Sequence, residues 1–316
     1  MNDKKRWIKG MRDSFFDSLF EIAKKDKDVI LLTADTGAIC HDDFKRTLKK
    51  QYVNVGIAEQ NMIGVAAGLA MSGKKVYVYA IVPFATARCF EQIRVDLCCM
   101  NLDVTVVGIG AGFDYSTLGP THHGIDDIAL MRVLPGMKIY SPSDSLMADL
   151  LAKQTYKEKG LSYIRLDRTG IPLVYSNKQD IDIKNGFNVL KKSKCFYILA
   201  TGRTVLTALE ATEKLTSDIE IGVIDLFRIK PLAIDKIWNI IKNVQNIIIL
   251  EEHFLSGGLA EIIANILVNK KEHPVLRAMG IKNEFCRSYG SRDYLLKVNS
   301  LDVKSVIFVV KNMIKN

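Results

Sequence analysis

Glu59 is the residue of this sequence best suited to do chemistry, because it is an acid inside an apolar segment of small residues. The segment predicts a strand that ends near Val55 and a helix over residues 57–71 that is hydrophobic on every side and therefore buried. Burying an unpaired carboxylate is costly, so such a glutamate is either neutralised by a proton or hydrogen-bonded to a specific partner. The alternative is a glutamate that only stabilises the first helical turn through the helix dipole.

The loop over residues 119–124 carries a second pair of candidates, His122 and His123, between Gly and Pro residues. Two adjacent histidines on a loop cannot both point the same way, and they lack the i, i+4 spacing of a helical metal pair. One interpretation is a histidine beside a substrate, exchanging hydrogen bonds with a hydroxyl or carbonyl near neutral pH. The other is a loop histidine that simply faces solvent, and the sequence alone leaves both open.

Composition excludes several classes of function. The net charge is 44 − 35 = +9, but Lys and Arg are scattered without a basic block, which argues against nucleic-acid binding. No segment approaches the roughly 18 consecutive apolar residues of a membrane span. The six cysteines have neither zinc-site spacing nor the density of a secreted scaffold. We therefore expect reduced thiols, a cytoplasmic location, and no nucleic-acid or membrane partner.

A glycine-rich stretch at Gly108, Gly110 and Gly112 follows an apolar run and could suggest a dinucleotide site. The residues after it are typical of a loop rather than of the helix start that such a site needs. A nicotinamide cofactor is therefore not indicated.

The chain of 316 residues is long enough for two domains of about 150 residues each. Apolar runs alternate with helical patterns, which predicts an α/β fold of two doubly wound parallel-sheet domains. Strands are predicted at residues 29–34, 75–80, 103–109, 138–141, 163–166, 196–200, 219–225, 246–250 and 275–278. Helices are predicted at residues 11–25, 84–100, 143–159, 204–215, 233–242, 258–268 and 301–314. A polar segment at 171–185 is the predicted linker, giving domains at 1–175 and 176–316.

Several segments together resemble the pyrimidine-binding domain of thiamine-diphosphate enzymes: residues 54–62 around Glu59, 77–88 with Phe84, 119–122, and 131–144. Segments 200–202, 251–253 and 256–259 in the second part are similar to the transketolase C-terminal domain. The chain as a whole resembles the C-terminal half of a transketolase encoded as a separate subunit. The resemblance implies a pyrimidine-binding domain followed by a transketolase C-terminal-like domain.

For the cofactor, the resemblance implies that Glu59 is catalytic and hydrogen-bonds the aminopyrimidine ring of thiamine diphosphate. Phe84 is expected to stack on the face of that ring, where an offset stack contributes about 0.5–1.5 kcal/mol beyond burial. Ile57 and Arg88 are expected to contact the cofactor as well. A buried Phe that merely opens a helix is the alternative for Phe84.

For the substrate, the resemblance implies that His122 is catalytic and reaches the substrate oxygens, with His123 beside it. Arg168 is expected to grip a sugar phosphate, for which a planar guanidinium is suited. The alternative for Arg168 is a surface salt bridge.

The resemblance also implies a partner. Thiamine-diphosphate enzymes hold the diphosphate through Mg²⁺ with a Gly-Asp-Gly motif and a later Asn, on a separate domain. No Gly-Asp-Gly occurs in this sequence, so we expect no metal ligand here. The expected partner is an N-terminal transketolase-like subunit that carries the motif, in a heterotetramer with two copies of each chain.

Two positions depart from ordinary transketolases, which carry Asp at the position of Leu118 and His at that of Gly110. Losing a carboxylate that reads a hydroxyl changes substrate discrimination strongly. We expect an enzyme that transfers a two-carbon ketol or acyl unit between sugar-type substrates but uses xylulose 5-phosphate poorly, until Asp and His are restored. The alternatives are a 2-oxo-acid-using synthase or dehydrogenase β-type subunit, and a non-catalytic structural subunit.

Overall fold

The computed structural model describes residues 9–215 and 220–315. In chain order its strands are β1 (Val29–Thr33), β2 (Tyr52–Asn54), β3 (Lys75–Ile81), β4 (Val104–Ile109), β5 (Lys138–Tyr140), β6 (Ser162–Leu166), β7 (Asn188–Lys191), β8 (Phe196–Ala200), β9 (Ile221–Asp225), β10 (Arg228–Lys230), β11 (Asn246–Phe254) and β12 (Val275–Ile281). The helices are α1 (Met11–Ala23), α2 (Asp42–Thr47), α3 (Glu59–Met71), α4 (Val82–Ala85), α5 (Phe90–Gln92), α6 (Asp127–Arg132), α7 (Ser145–Lys157), α8 (Thr204–Lys214), α9 (Ile234–Ile241), α10 (Leu259–Leu267), α11 (Arg292–Val298) and α12 (Val303–Lys315).

The strands form two sheets, one of seven strands in the order β10-β5-β6-β4-β3-β1-β2 and one of five in the order β12-β11-β8-β9-β7. Neighbouring strands run parallel except at one edge of each sheet, where β10 pairs antiparallel with β5 and β7 antiparallel with β9. Hydrophobic clusters cover both faces of each sheet. The predicted α/β fold of two doubly wound domains is confirmed, with one antiparallel edge strand added to each sheet.

Every predicted strand occurs within a few residues of its expected bounds. The strand predicted at 219–225 begins at Ile221 in the structure, and its first residue, 219, lies outside the described residues. The short edge strands β7 and β10 were not predicted, since each has few residues and pairs on one side. Among the described residues no helix is long and apolar enough to cross a membrane.

The single helix predicted over residues 84–100 is wrong. The chain forms the short helix α4 with Pro83 in its first turn, then a 3₁₀ turn (Ala87–Cys89), α5, and a π-helix (Ile93–Cys99). The break falls at Thr86, whose φ of −122° and ψ of −80° are not helical. A hydrophobic pattern cannot distinguish these hydrogen-bond registers, and π-helical turns are frequent at functional sites.

The prediction that the helix after Val55 is buried on every side is also wrong for this chain. Helix α3 begins at Glu59 and buries one face on the first sheet, while a Cβ added to Gly64 or Gly68 on the other face would meet no atom within 4 Å. Met71, at its end, is 63% exposed. The chain therefore leaves a face of α3 uncovered, on which Gln60 and Asn61 are followed by Gly64, Gly68 and Met71.

The predicted linker at 171–185 is packed in its first half. Tyr175 is buried, and its hydroxyl donates to Asp225 in β9 at 2.8 Å. Asp144 accepts hydrogen bonds from the backbone N–H groups of Val174 and Tyr175 at 2.9 and 3.0 Å. The segment thus contacts both sheets, and the domain boundary between residues 175 and 176 stays a prediction.

Arg292, the first residue of α11, joins the two sheets through a buried ion-pair network. Its guanidinium donates to Glu252 in β11 at 2.6 and 2.9 Å and to Asp167, just after β6, at 2.8 and 3.2 Å. It also donates to the carbonyl oxygen of Ala111 at 3.2 Å. One cation therefore compensates two buried carboxylates that belong to different sheets.

We predict that Arg292→Met lowers the free energy of unfolding by about 3–5 kcal/mol, because removing one partner of a buried ion pair leaves uncompensated charge. Urea unfolding measures the change, with Arg287→Met as the control at an exposed arginine. Equal losses in the two variants would contradict the role assigned to Arg292.

Candidate active site

The candidate residues lie at the carboxyl ends of the parallel strands of the first sheet. Glu59 follows β2, Phe84 follows β3, His122 lies in the loop after β4, and Arg168 follows β6. These strands are neighbours through β1. The carboxyl ends of parallel strands are where open α/β sheets bind ligands.

Glu59 is 4% exposed at the first position of α3, where the helix dipole favours an anion. Its Oε2 accepts a hydrogen bond from Arg88 Nη1 at 2.9 Å. Within the described part of the chain, no hydrogen bond reaches Oε1. The backbone carbonyl of Arg88 in turn accepts from the Gln60 side chain at 3.2 Å. The structure therefore supplies the specific partner expected for a buried glutamate, and one carboxylate oxygen remains open.

Phe84 lies next to this ion pair. The Arg88 guanidinium carbon is 3.8 Å from the centre of the Phe84 ring, a cation–π contact. The ring of His122 meets Phe84 edge-on with centroids 5.2 Å apart. The helix predicted over 84–100 is broken at Thr86. Phe84 and Arg88 therefore lie on separate turns, with Arg88 between Phe84 and Glu59.

A series of side chains in contact runs from Phe84 through His122 and Tyr115 to Arg168. The centroid of the His122 ring lies 6.1 Å from that of Tyr115, and the Arg168 guanidinium carbon lies 4.8 Å from the centre of the Tyr115 ring. Burial, and then the charge of Arg88, lower the pKa of His122, so the imidazole is neutral at neutral pH. Its Nδ1 lies 2.9 Å from the Thr121 hydroxyl, which leaves Nε2 for another partner.

His123 points away from this series, as expected for two adjacent histidines on a loop. It is buried, and its ring meets Phe113 with centroids 5.0 Å apart. Burial lowers its pKa. Ile57 is likewise outside the series: it is 79% exposed, just after Gly56, which has a φ of +77°. A contact of either residue with cofactor or substrate stays a prediction.

Gly110 has a φ of +91°, and a Cβ on it would overlap Cδ2 and Cε2 of Tyr115. The expectation that a histidine could be restored at 110 is therefore wrong, because the Tyr115 ring fills that space and the backbone disfavours a side chain. Leu118 is 46% exposed, so its side chain is open to replacement. Tyr115 was not among the residues proposed from the sequence. The one sequence feature that could have indicated it is an aromatic residue in the loop after the glycine-rich stretch.

Comparison with known proteins identifies the two domains. The sequence pattern described as "Transketolase, pyrimidine binding domain" matches residues 9–172, and "Transketolase, C-terminal domain" matches residues 186–306. A subunit of the apulose-4-phosphate transketolase of Phocaeicola vulgatus is 38% identical over 276 residues, covering 86% of this chain and 88% of that protein.

A solved structure described as a split gene transketolase, inactive beta4 tetramer, superposes with a TM-score of 0.87 at 31% identity, covering 97% of this chain and 98% of that one. The 1-deoxy-D-xylulose-5-phosphate synthase of Caldanaerobacter subterraneus is 31% identical over 305 residues, covering 93% of this chain and 47% of that protein. The chain thus spans about half the length of such single-chain relatives and nearly all of the subunit-type ones. It belongs to the transketolase family.

Proposed function

We propose that this chain is one subunit of a two-subunit transketolase, which transfers a two-carbon ketol unit between sugar-type substrates with thiamine diphosphate as cofactor. The observation that carries the proposal is the buried Glu59, with Oε2 held by Arg88 and Oε1 open, beside Phe84. The domains are taken as residues 1–175 and 176–316. The relative in Phocaeicola vulgatus supports a sugar phosphate as substrate.

The residues present fit the aminopyrimidine half of thiamine diphosphate. Arg88 holds one oxygen of Glu59, which leaves the other for a ring nitrogen, and Phe84 offers a half-buried ring for stacking. Arg88, and the exposed Ile57, are assigned to the cofactor as well. Bound thiamine diphosphate supplies the electron sink for cleaving the carbon–carbon bond beside a carbonyl. With the cofactor bound, Glu59 Oε1 would hold a proton at that ring nitrogen and take it back.

The substrate lies along the series that begins at His122. A neutral imidazole with Nε2 available can donate to or accept from a substrate oxygen. Arg168, stacked on Tyr115, supplies a cation for the phosphate at the far end of the substrate. The proposed roles of His122 and Arg168 rest on these positions, whereas the buried His123, which packs on Phe113, has no such support for a substrate contact.

A partner subunit completes the site in this proposal. The uncovered face of α3 and the exposed Ile57 offer it a contact surface that adjoins Glu59. The missing Gly-Asp-Gly motif assigns Mg²⁺ and the diphosphate to that partner. Two copies of each chain are expected, since oligomers close by symmetry. The inactive tetramer of a similar β chain supports a requirement for the partner. The six unpaired cysteines support a cytoplasmic location.

A 2-oxo-acid-using synthase or dehydrogenase β-type subunit is the second candidate. It is favoured by Leu118 and Gly110, where ordinary transketolases place polar side chains, and by the similarity to 1-deoxy-D-xylulose-5-phosphate synthase. A non-catalytic structural subunit is a third, against which the open Glu59 argues. Turnover of the reconstituted enzyme with ketose phosphates and with pyruvate separates the three.

We predict that Glu59→Gln lowers kcat of the reconstituted enzyme by about 10²–10⁴ while leaving the melting temperature within a few degrees of the wild type. The amide keeps an oxygen for Arg88 but cannot exchange the proton. Steady-state kinetics and thermal unfolding measure both effects. The matched control is Glu91→Gln, since Glu91 is more exposed and pairs with Arg94. Full activity in Glu59→Gln would remove Glu59 from the mechanism.

We predict that the isolated chain binds thiamine diphosphate with Mg²⁺ weakly or not at all, because it holds half of the cofactor site. Calorimetry on the chain alone and with the partner subunit measures the difference. Tight binding together with turnover by the chain alone would show that no second subunit is needed.

We predict that Leu118→Asp raises kcat/KM for xylulose 5-phosphate by about tenfold to hundredfold, the effect of one hydrogen bond to a charged group. The reason is that an exposed carboxylate in this loop can read a substrate hydroxyl. The control is Leu173→Asp, because Leu173 and Leu118 are equally exposed, at 46% each. A wild type that already uses this donor efficiently would contradict the prediction.

A further inference from the structure

Tyr115 lies between the two residues assigned to the substrate. Its ring is 4.8 Å from the Arg168 guanidinium carbon and 6.1 Å from the His122 ring, centre to centre for the rings. Burial raises the pKa of its phenol, so the hydroxyl stays protonated at neutral pH. The half-buried ring therefore lies between His122 and Arg168, and its hydroxyl can form a hydrogen bond.

The ring of Tyr115 and a side chain at position 110 exclude each other. A Cβ on Gly110 would overlap two carbons of the ring, and its φ of +91° is one that side chains rarely adopt. The position of the Tyr115 ring therefore requires a glycine at 110. Where ordinary members of the family place an imidazole, this chain places a phenol that arrives from further along the loop.

The same ring holds the guanidinium group of Arg168 in position. The backbone N–H of Arg168 donates to Asp114 at 2.7 Å, and the hydroxyl of Thr169 donates to the other oxygen of Asp114 at 3.0 Å. The backbone is thus fixed while the side chain is exposed. Over the described part of the chain no carboxylate pairs with this guanidinium, so its defined contact is the face of Tyr115.

We infer that Tyr115 is a specificity-determining residue of the proposed transferase. It holds the Arg168 guanidinium in place for the phosphate of a ketose phosphate ester. Substrate selection then depends on the stacked cation and the ring, in place of polar side chains at positions 110 and 118. This inference rests on the proposed function, which assigns Arg168 and His122 to the substrate.

The kinetic test compares Tyr115→Ala and Tyr115→Phe in the full chain with its partner subunit, using fructose 6-phosphate and fructose as donors. Losing a cation–π contact predicts a KM for fructose 6-phosphate about two- to fivefold higher in Tyr115→Ala, with kcat and the KM for fructose unchanged. Tyr115→Phe keeps the stack and should restore the wild-type KM. Tyr294→Ala, at an exposed tyrosine of α11, is the control. Equal loss of kcat on both donors, or no rescue by Phe, would indicate a merely structural role and overturn the inference.

A binding test distinguishes failure of this inference from failure of the proposed function. Inorganic phosphate is titrated into the full chain and followed by the line width of its ³¹P signal. The wild type should bind, Tyr115→Ala should bind about two- to fivefold more weakly, and Arg168→Ala should bind least. This pattern without turnover of any ketose would retain the role of Tyr115 and refute the transferase. Equal binding by wild type and Tyr115→Ala, or none by the wild type, would overturn the role of Tyr115.

Discussion

The hydrogen-bonded ion pair of Glu59 with Arg88 is the interaction on which the site depends. A buried carboxylate must be compensated, and here one guanidinium nitrogen and the start of α3 do so. The Arg88 side chain is 43% exposed, so water screens the pair and its contribution to stability is small. Its effect is geometric, because it fixes one carboxylate oxygen and leaves the other open. A surface that covered Arg88 would lower the local dielectric and strengthen the same pair.

Residues of the second domain hold the loop after β4 in place through hydrogen bonds. Glu252 in β11 accepts from the backbone N–H of Phe113 at 2.8 Å, and Arg292 donates to the carbonyl oxygen of Ala111. Phe113 in turn packs against His123. Glu252 and Arg292 thus anchor the loop to the second domain, while Tyr115 and His122 face the site. In this way the buried ion-pair network of Arg292 helps to fix the loop that carries Tyr115 and His122.

The sequence predicted the two sheets and the environment of Glu59 because both follow from local pattern. Buried parallel strands are uniformly apolar, and an acid in such a setting must find a partner. Tyr115 could not be predicted, since its contacts with Gly110 and Arg168 depend on how the ends of β4 and β6 meet. The uncovered face of α3 was missed for another reason. Hydrophobicity indicates that a surface is buried somewhere, without telling whether this chain or another one covers it.

The two departures from ordinary transketolases have different physical consequences. At Gly110 the Tyr115 ring occupies the space that a side chain would take, so a phenol stands in for an imidazole. At Leu118 the missing carboxylate leaves an exposed apolar side chain. One polar contact is therefore substituted and the other is lost. In the proposed transferase, selection among substrates therefore falls to Arg168 and the Tyr115 ring that holds it, because a hydroxyl facing Leu118 would lose water without gaining a hydrogen bond.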